Sequence, residues 1–292
     1  FLYYPIGGWM MNKIDTTTDY EINTPPSQSA TVEMMSFLIK REVSDKMWTP
    51  NLPFIFPSYV LDNMPNFQLG LMSAVSNVSS SFAAKVDQTI APEKELPLKT
   101  AAELLKYPGT IWMFSPQNKL TPVPSANTQY KKARKQLVAY NRSLREGGSV
   151  FYKSPGDLAY FLQRMSKDLW LSNEKLEAHI REHSSDWVDN RSDDLFYYQQ
   201  GKIYGYYLLM KALSYDYKDI ILANDIYQPW TQMVKALEEA VVLSPAVVRN
   251  GEPDSTLAPN HLSSIGYYSL KAALISQNMM CKLTLSAAQG KQ

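Results

Sequence analysis

Apolar side chains recur at three- and four-residue spacing along most of the chain, and that period predicts helices. Val32, Met35, Leu38, Ile39 and Val43 mark an amphipathic helix from Ser29 to about Lys46. Its polar side carries Lys40, Arg41 and Glu42, read as a solvated face with local ion pairs rather than a catalytic pair. A second helix is expected from Asn66 to about Lys85, and Thr100-Ala101-Ala102-Glu103 is a capping-box signature for a short one that stops at Tyr107-Pro108-Gly109. The apolar run Thr110 to Phe114 reads as a strand or buried turn, and Pro116 to Ser125 as a loop. Gln129 to about Glu146 is helical and ends at Gly147-Gly148.

Ser154-Pro155-Gly156-Asp157 starts the next helix, whose buried stripe is Leu158, Phe161, Leu162, Met165 and Leu169. Ser172 is expected to cap a following helix to about His183, and Ser192-Asp193-Asp194 to open a tyrosine-rich one through Leu213. Within it, Gly201-x-x-x-Gly205 would let another helix approach closely. Asp216 to Asp225 and Pro229 to Leu243 read as two consecutive helices or one broken one, and Asn260 caps a last helix from His261 to about Ala287. Eight or nine helices without alternating strands make the expected fold mainly α, an irregular multi-helix bundle.

Pro50 to Gly70 interrupts that pattern, with four prolines among large apolar side chains and almost no charge. The prolines should keep Leu52, Phe56 and Met64 out of helical conformation. Phe54, Ile55, Phe56, Tyr59, Val60, Leu61 and Phe67 would each contribute about 1.5 to 3 kcal/mol if buried, so this proline-rich connector is expected to pack against its flanking helices. Asp62, Asn63 and Asn66 form its polar cluster, and turn and cap roles are the favoured reading over a binding site.

The chain divides into residues 1–11, an apolar arm or the end of a membrane helix, 12–28, a linker, and 29–289, one α-helical domain with a subdivision near residue 150 left open. Phe1 to Met11 is too short to span a bilayer, yet Tyr3, Tyr4 and Trp9 suit the membrane–water interface. With 292 residues, 45% of them hydrophobic, the chain can bury a substantial core. A net charge of +1 offers no global footprint for nucleic acid. Lys131, Lys132, Arg134 and Lys135 make the one basic cluster, read as a solvated helix face or, on a cytoplasmic surface, a contact for anionic lipid. The single Cys281 excludes an internal disulfide and cysteine-based metal motifs.

Leu61 to Gln68, with Ile39-Lys40-Arg41-Glu42-Val43 and Asn51-Leu52-Pro53-Phe54, resembles the bacterial DUF2333 family. Further motifs carry the likeness over nearly the whole chain: Tyr3-Tyr4-Pro5-Ile6-Gly7, Lys106 to Trp112, Asp194-Leu195-Phe196-Tyr197, Val248-Arg249-Asn250-Gly251 and Pro259-Asn260-His261-Leu262. The resemblance brings no assigned activity. It implies one N-terminal transmembrane helix just ahead of the Tyr-Tyr-Pro motif, and so a single-pass protein of the bacterial inner membrane with its folded domain on the periplasmic side. It also singles out Asp62, Asn63, Asn66, Asn250, Asn260 and His261 as the family-motif polar cluster.

His179-Ile180-Arg181-Glu182-His183 matches the H-x-x-E-H pattern, in which two histidines four apart on a helix bind zinc and the glutamate acts as base. Glu238, Glu239 or Glu252 would have to supply the third ligand. His261 beside Asn260 and the Arg249-to-Asp254 loop suits general base chemistry, or a structural tie between loop and helix. No phosphate loop, Rossmann glycine pattern or nucleophile elbow is present. The 19 tyrosines and 6 tryptophans suit sugar stacking, and equally a helical core. The expected function is a scaffold or accessory subunit of an envelope protein assembly, without catalysis or cofactor. A zinc-dependent envelope hydrolase using His179, Glu182 and His183 is the alternative.

Overall fold

The computed structural model describes residues 14–52, 63–86, 96–114, 121–183, 190–245, 248 and 260–289. They hold nine α-helices and no strand. In chain order these are α1 (Ala30–Lys40), α2 (Asn63–Val86), α3 (Leu96–Leu105), α4 (Ala126–Arg145), α5 (Pro155–His183), α6 (Asn190–Asp216), α7 (Lys218–Ala223), α8 (Tyr227–Val241) and α9 (His261–Gln289). A π-helical turn, Arg41–Asp45, continues α1.

Four helices carry a proline in their first turn: Pro65 in α2, Pro97 in α3, Pro155 in α5 and Pro229 in α8. The first N–H groups of a helix have no intrahelical acceptor, so a proline there removes nothing. That is why Met64, expected outside a helix, lies inside α2, and why α3 begins at Leu96, four residues before the capping-box signature at Thr100. Where caps are genuine, the side chains make them. The Ser29 hydroxyl accepts from Val32 N at 3.2 Å and that of Ser154 from Asp157 N at 3.1 Å, and Asn260 Oδ1 accepts from Ser263 N at 2.8 Å.

Helix α6 is the axis. It is buried almost all round its middle, from Ile203 through Leu213, so it carries no strong polar face and α1, α2, α8 and α9 pack about it. The α2–α6 pair is the tightest. A Cβ on Gly201 would clash with the Phe67 carbonyl, one on Gly70 with the Tyr198 carbonyl, and one on Gly205 would stand 2.9 Å from Ala74 Cβ. The expected close approach is therefore real, and Gly70 completes it.

Helices α5 and α9 pair antiparallel, with Gly266 against Asn173 and the Ser166 hydroxyl donating to Ala273 O at 3.1 Å. Ser172 does not start a new helix: α5 runs unbroken, and the Ser172 hydroxyl accepts Lys202 Nζ at 2.9 Å. The Thr110 to Phe114 run forms no strand, and only Ile111 is buried among its apolar residues; Trp112, Met113 and Phe114 are exposed. Residues 53–62, the centre of the proline-rich connector, lie outside the described residues, but Phe67 is fully buried.

Residues 14–28 form no helix or strand, yet they are fastened to the bundle. Tyr204 donates to Thr17 O at 2.8 Å and Lys211 to Thr18 O at 3.1 Å, and Ile14, Tyr20 and Ile22 pack on the core. No described helix is long and apolar enough to cross a membrane, and residues 1–11 lie outside the described ones.

Candidate functional site

Three places bring chemistry-bearing side chains together, and the first surrounds the π-turn. One extra residue per turn rotates the chain, so Arg41 and Glu42 both point inward. The solvated face expected there is reduced to Lys40 and Asp45, which pair at 2.7 Å in the open. Arg41 Nε donates to Glu42 Oε1 at 2.6 Å, and its Nη1 donates to the Tyr204 hydroxyl at 2.6 Å and that of Tyr20 at 3.3 Å. Gln68 of α2 donates to Glu42 Oε2 at 3.1 Å and to Met47 O at 3.0 Å, and its own oxygen accepts from both Thr49 N and Oγ1.

Burial works against the Arg41 charge, but the Glu42 carboxylate and the two phenols outweigh it and hold the guanidinium above its ordinary value. Burial pushes the Tyr204 phenol up, with Arg41 opposing, and pulls the Lys46 ammonium down against the attraction of Glu42. Both oxygens of Glu42 accept, Oε1 from Arg41 and Oε2 from Gln68. The cluster clamps α1, α2 and α6 and, through Tyr20 and Thr17, the N-terminal strap.

The second place is the last turn of α5. The His179 and His183 rings lie 4.6 Å apart, and Glu182 faces solvent. The antiparallel register sets His261, at the start of α9, at the same end of the α5–α9 pair, which brings all three histidines of the chain to one region. Among the described residues no three His, Cys, Asp or Glu side chains form a group able to hold a metal ion. Glu238 instead accepts from the Tyr207 hydroxyl, Glu239 pairs with Lys271, and Glu252 lies outside the described residues.

Three of the family-motif residues, Asn63, Asn260 and His261, stand at helix starts among the described residues. Asn66 donates to Asp194 Oδ1 at 2.7 Å across the α2–α6 pair, Asn63 is the first residue of α2, and Asn260 caps α9. Asp62 and Asn250 lie outside the described residues.

The third place was not anticipated from sequence. An apolar groove of about 420 Å³ opens between the end of α6, α7 and the first turns of α8. Asp225, in left-handed conformation at φ 50°, turns α7 into α8, a backbone state that aspartate tolerates better than most residues. The groove is edged by Tyr215, Leu222 and Tyr227, which are 59, 54 and 56% exposed. Trp230 forms part of its lining, and the Trp230 indole N–H is buried with no acceptor among the described residues. Lys211 and Lys218 stand beside it. Of its edge residues only Tyr227 belongs to α8, where it stands outside the buried stripe of Trp230, Met233, Ala236, Leu237, Ala240 and Val241.

Residues 171–281, from the second half of α5 into α9, match the family described as "Uncharacterized protein conserved in bacteria (DUF2333)". That bears out the DUF2333 resemblance over a span that includes the histidines, Asp194, Asn260 and the whole apolar groove. No curated protein and no solved structure matches the chain.

Proposed function

We propose that the chain is a non-catalytic helical scaffold or accessory subunit of a bacterial envelope assembly, tethered to the inner membrane through its N-terminal segment with the bundle on the periplasmic side. The carrying observation is the groove edged by Tyr215, Leu222 and Tyr227, a concave apolar surface. It suits an apolar helix of a partner that brings an acidic group to the exposed Lys218. The buried ionic groups elsewhere serve internal wiring, as at Arg41, Glu42 and Gln68. The tether reading draws on the aromatic start at Tyr3, Tyr4 and Trp9 and on the family resemblance. A strap at residues 14–20 fastened to α1 and α6 would carry load from such an anchor into the bundle.

The test is site-specific photo-crosslinking in the full-length protein within membranes. A photoreactive residue at Leu222 or Tyr227 is expected to give one stoichiometric adduct, absent from the exposed control position Leu285 and lost with Tyr215→Glu. No adduct, or the same products from all three positions, overturns the reading.

A further inference from the structure

We infer that the groove between α1 and α4 binds a phosphorylated ligand, a phosphate ester with an apolar portion beside it, carried by a lipid headgroup or by a soluble molecule. The groove measures about 370 Å³, within the range of small-molecule pockets. Arg134, Val138, Arg142 and Arg145 fall at positions i, i+4, i+8 and i+11 of α4 and so share one face, and Lys40 of α1 lines the same groove.

Only one acid lines it, Glu33, and that carboxylate already accepts the Thr24 hydroxyl. Lys40 is held by Asp45, and Arg145 stands 3.6 Å from Glu146. Arg134 and Arg142 have no ion pair or side-chain hydrogen bond among the described residues. Moreover, Arg134 lines the groove, and its Nε is buried with no acceptor among the described residues. An N–H fork of that kind matches phosphate oxygens.

Between the charges the lining is apolar, Val32 and Phe37 from α1 and Leu137 and Val138 from α4, and Val138 is 38% exposed. Eight residues of helix separate Arg134 and Arg142 by about 12 Å, too far for one phosphate to reach both tightly. A ligand with an apolar stretch between or beside its anionic groups would satisfy both features. The expected cluster at Lys131, Lys132 and Lys135 differs in kind: these three project to solvent from α4, whereas Arg134 turns into the groove.

That division supplies the control. Binding of two probes is measured by calorimetry and flotation: monomeric dihexanoyl phosphatidic acid, and phosphatidylglycerol vesicles against phosphatidylcholine vesicles. Arg134→Gln is expected to weaken binding of these single-phosphate probes roughly tenfold or more, the effect of losing a charged hydrogen bond, and Arg142→Gln, about 12 Å away, to weaken it less than Arg134→Gln. Lys131→Gln/Lys135→Gln, which removes two charges from the same helix outside the groove, is expected to leave it within about threefold, as for exposed charges that are screened. Both substituted arginines are partly exposed, and unchanged circular dichroism would show the fold intact. Arginine-dependent binding of the soluble ester supports a small-molecule site, and arginine-dependent binding confined to the anionic vesicles supports a headgroup site. Binding of neither probe, or equal losses in the lysine control, overturns the inference.

Discussion

Two ion pairs on one turn offer a controlled comparison of buried and exposed charge. Glu42 is fully buried and serves Arg41, Gln68 and, at 3.7 Å, Lys46; Asp45, three residues on, pairs with Lys40, with both side chains 48% exposed. Glu42→Gln keeps the shape but strips the counter-charge from a buried guanidinium, and it sets the new amide's N–H group against another donor, either Gln68 Nε2 or Arg41 Nε. Leaving a buried charge unpaired costs about 3 to 5 kcal/mol. Asp45→Asn removes a solvated pair and should cost at most about 1 kcal/mol. In urea unfolding followed by tryptophan fluorescence, a slope of about 3 kcal/mol per molar turns the first loss into a midpoint at least about 1 M lower, and the second into a shift below about 0.3 M. Limited proteolysis should then cut the Glu42→Gln variant faster between residues 14 and 24, because Tyr20 and Thr17 hang on the same cluster. Equal shifts for the two variants would refute the account of the π-turn as a buried clamp.

Other consequences are checked as directly. Gly201→Ala should gain about 1 kcal/mol of helix propensity but lose more by driving α2 off α6 against the Phe67 backbone, for a net destabilisation of about 2 kcal/mol or more; a more stable variant in thermal melts would contradict the packing. Burial raises the phenols of Tyr206 and Tyr217 above the ordinary value of 10.0, with Asp168 and Asp157 adding to it, so the folded state holds protons that the unfolded state releases. Their contribution is complete below pH 10 and lost as pH rises above it, by about 1.4 kcal/mol per pH unit for each phenol, and absorbance at 295 nm should show these tyrosines ionising only with unfolding. If His179 and His183 held zinc, protein purified without chelators would carry one equivalent that His183→Ala removes; the scaffold reading expects no such equivalent by elemental analysis.

What could be read from sequence follows the range of the interaction. The caps at Ser154 and Asn260 act within three residues, and both were legible. So was the close approach at Gly201, because a glycine pair inside a tyrosine-rich helix has few other uses. The same local logic misled at Thr100, where a capping-box pattern lies inside a helix already begun at Leu96. Burial of Arg41 and Glu42 was not legible, since their partners Tyr204 and Gln68 are 163 and 26 residues away and a π-turn leaves no periodic trace. Nor was the apolar groove, which exists only because Asp225 turns α8 back beside the end of α6.

One side chain joins the two grooves. Asp216, in the last turn of α6, accepts the Ser29 hydroxyl at 2.7 Å, Ala30 N at 2.8 Å and Thr31 N at 3.0 Å, and so fixes where α1 begins. Its neighbour Tyr215 edges the apolar groove, and Gln28, just ahead of Ser29, lines the cationic one. Burial pushes the Asp216 carboxyl up, against the pull of the donors from Thr31, Ser29 and Ala30. Asp216→Asn puts an amide N–H₂ where one oxygen accepts, leaving one or two buried donors unmet at a cost of about 1 to 3 kcal/mol each. The expected outcome is faster hydrogen exchange at residues 29–32 together with weakened phosphatidic acid binding, while α8 amides keep their protection. Exchange at residues 29–32 as slow as in the parent chain would mean that the start of α1 is anchored by its packing without these hydrogen bonds, and Asp216 would lose its place as the link.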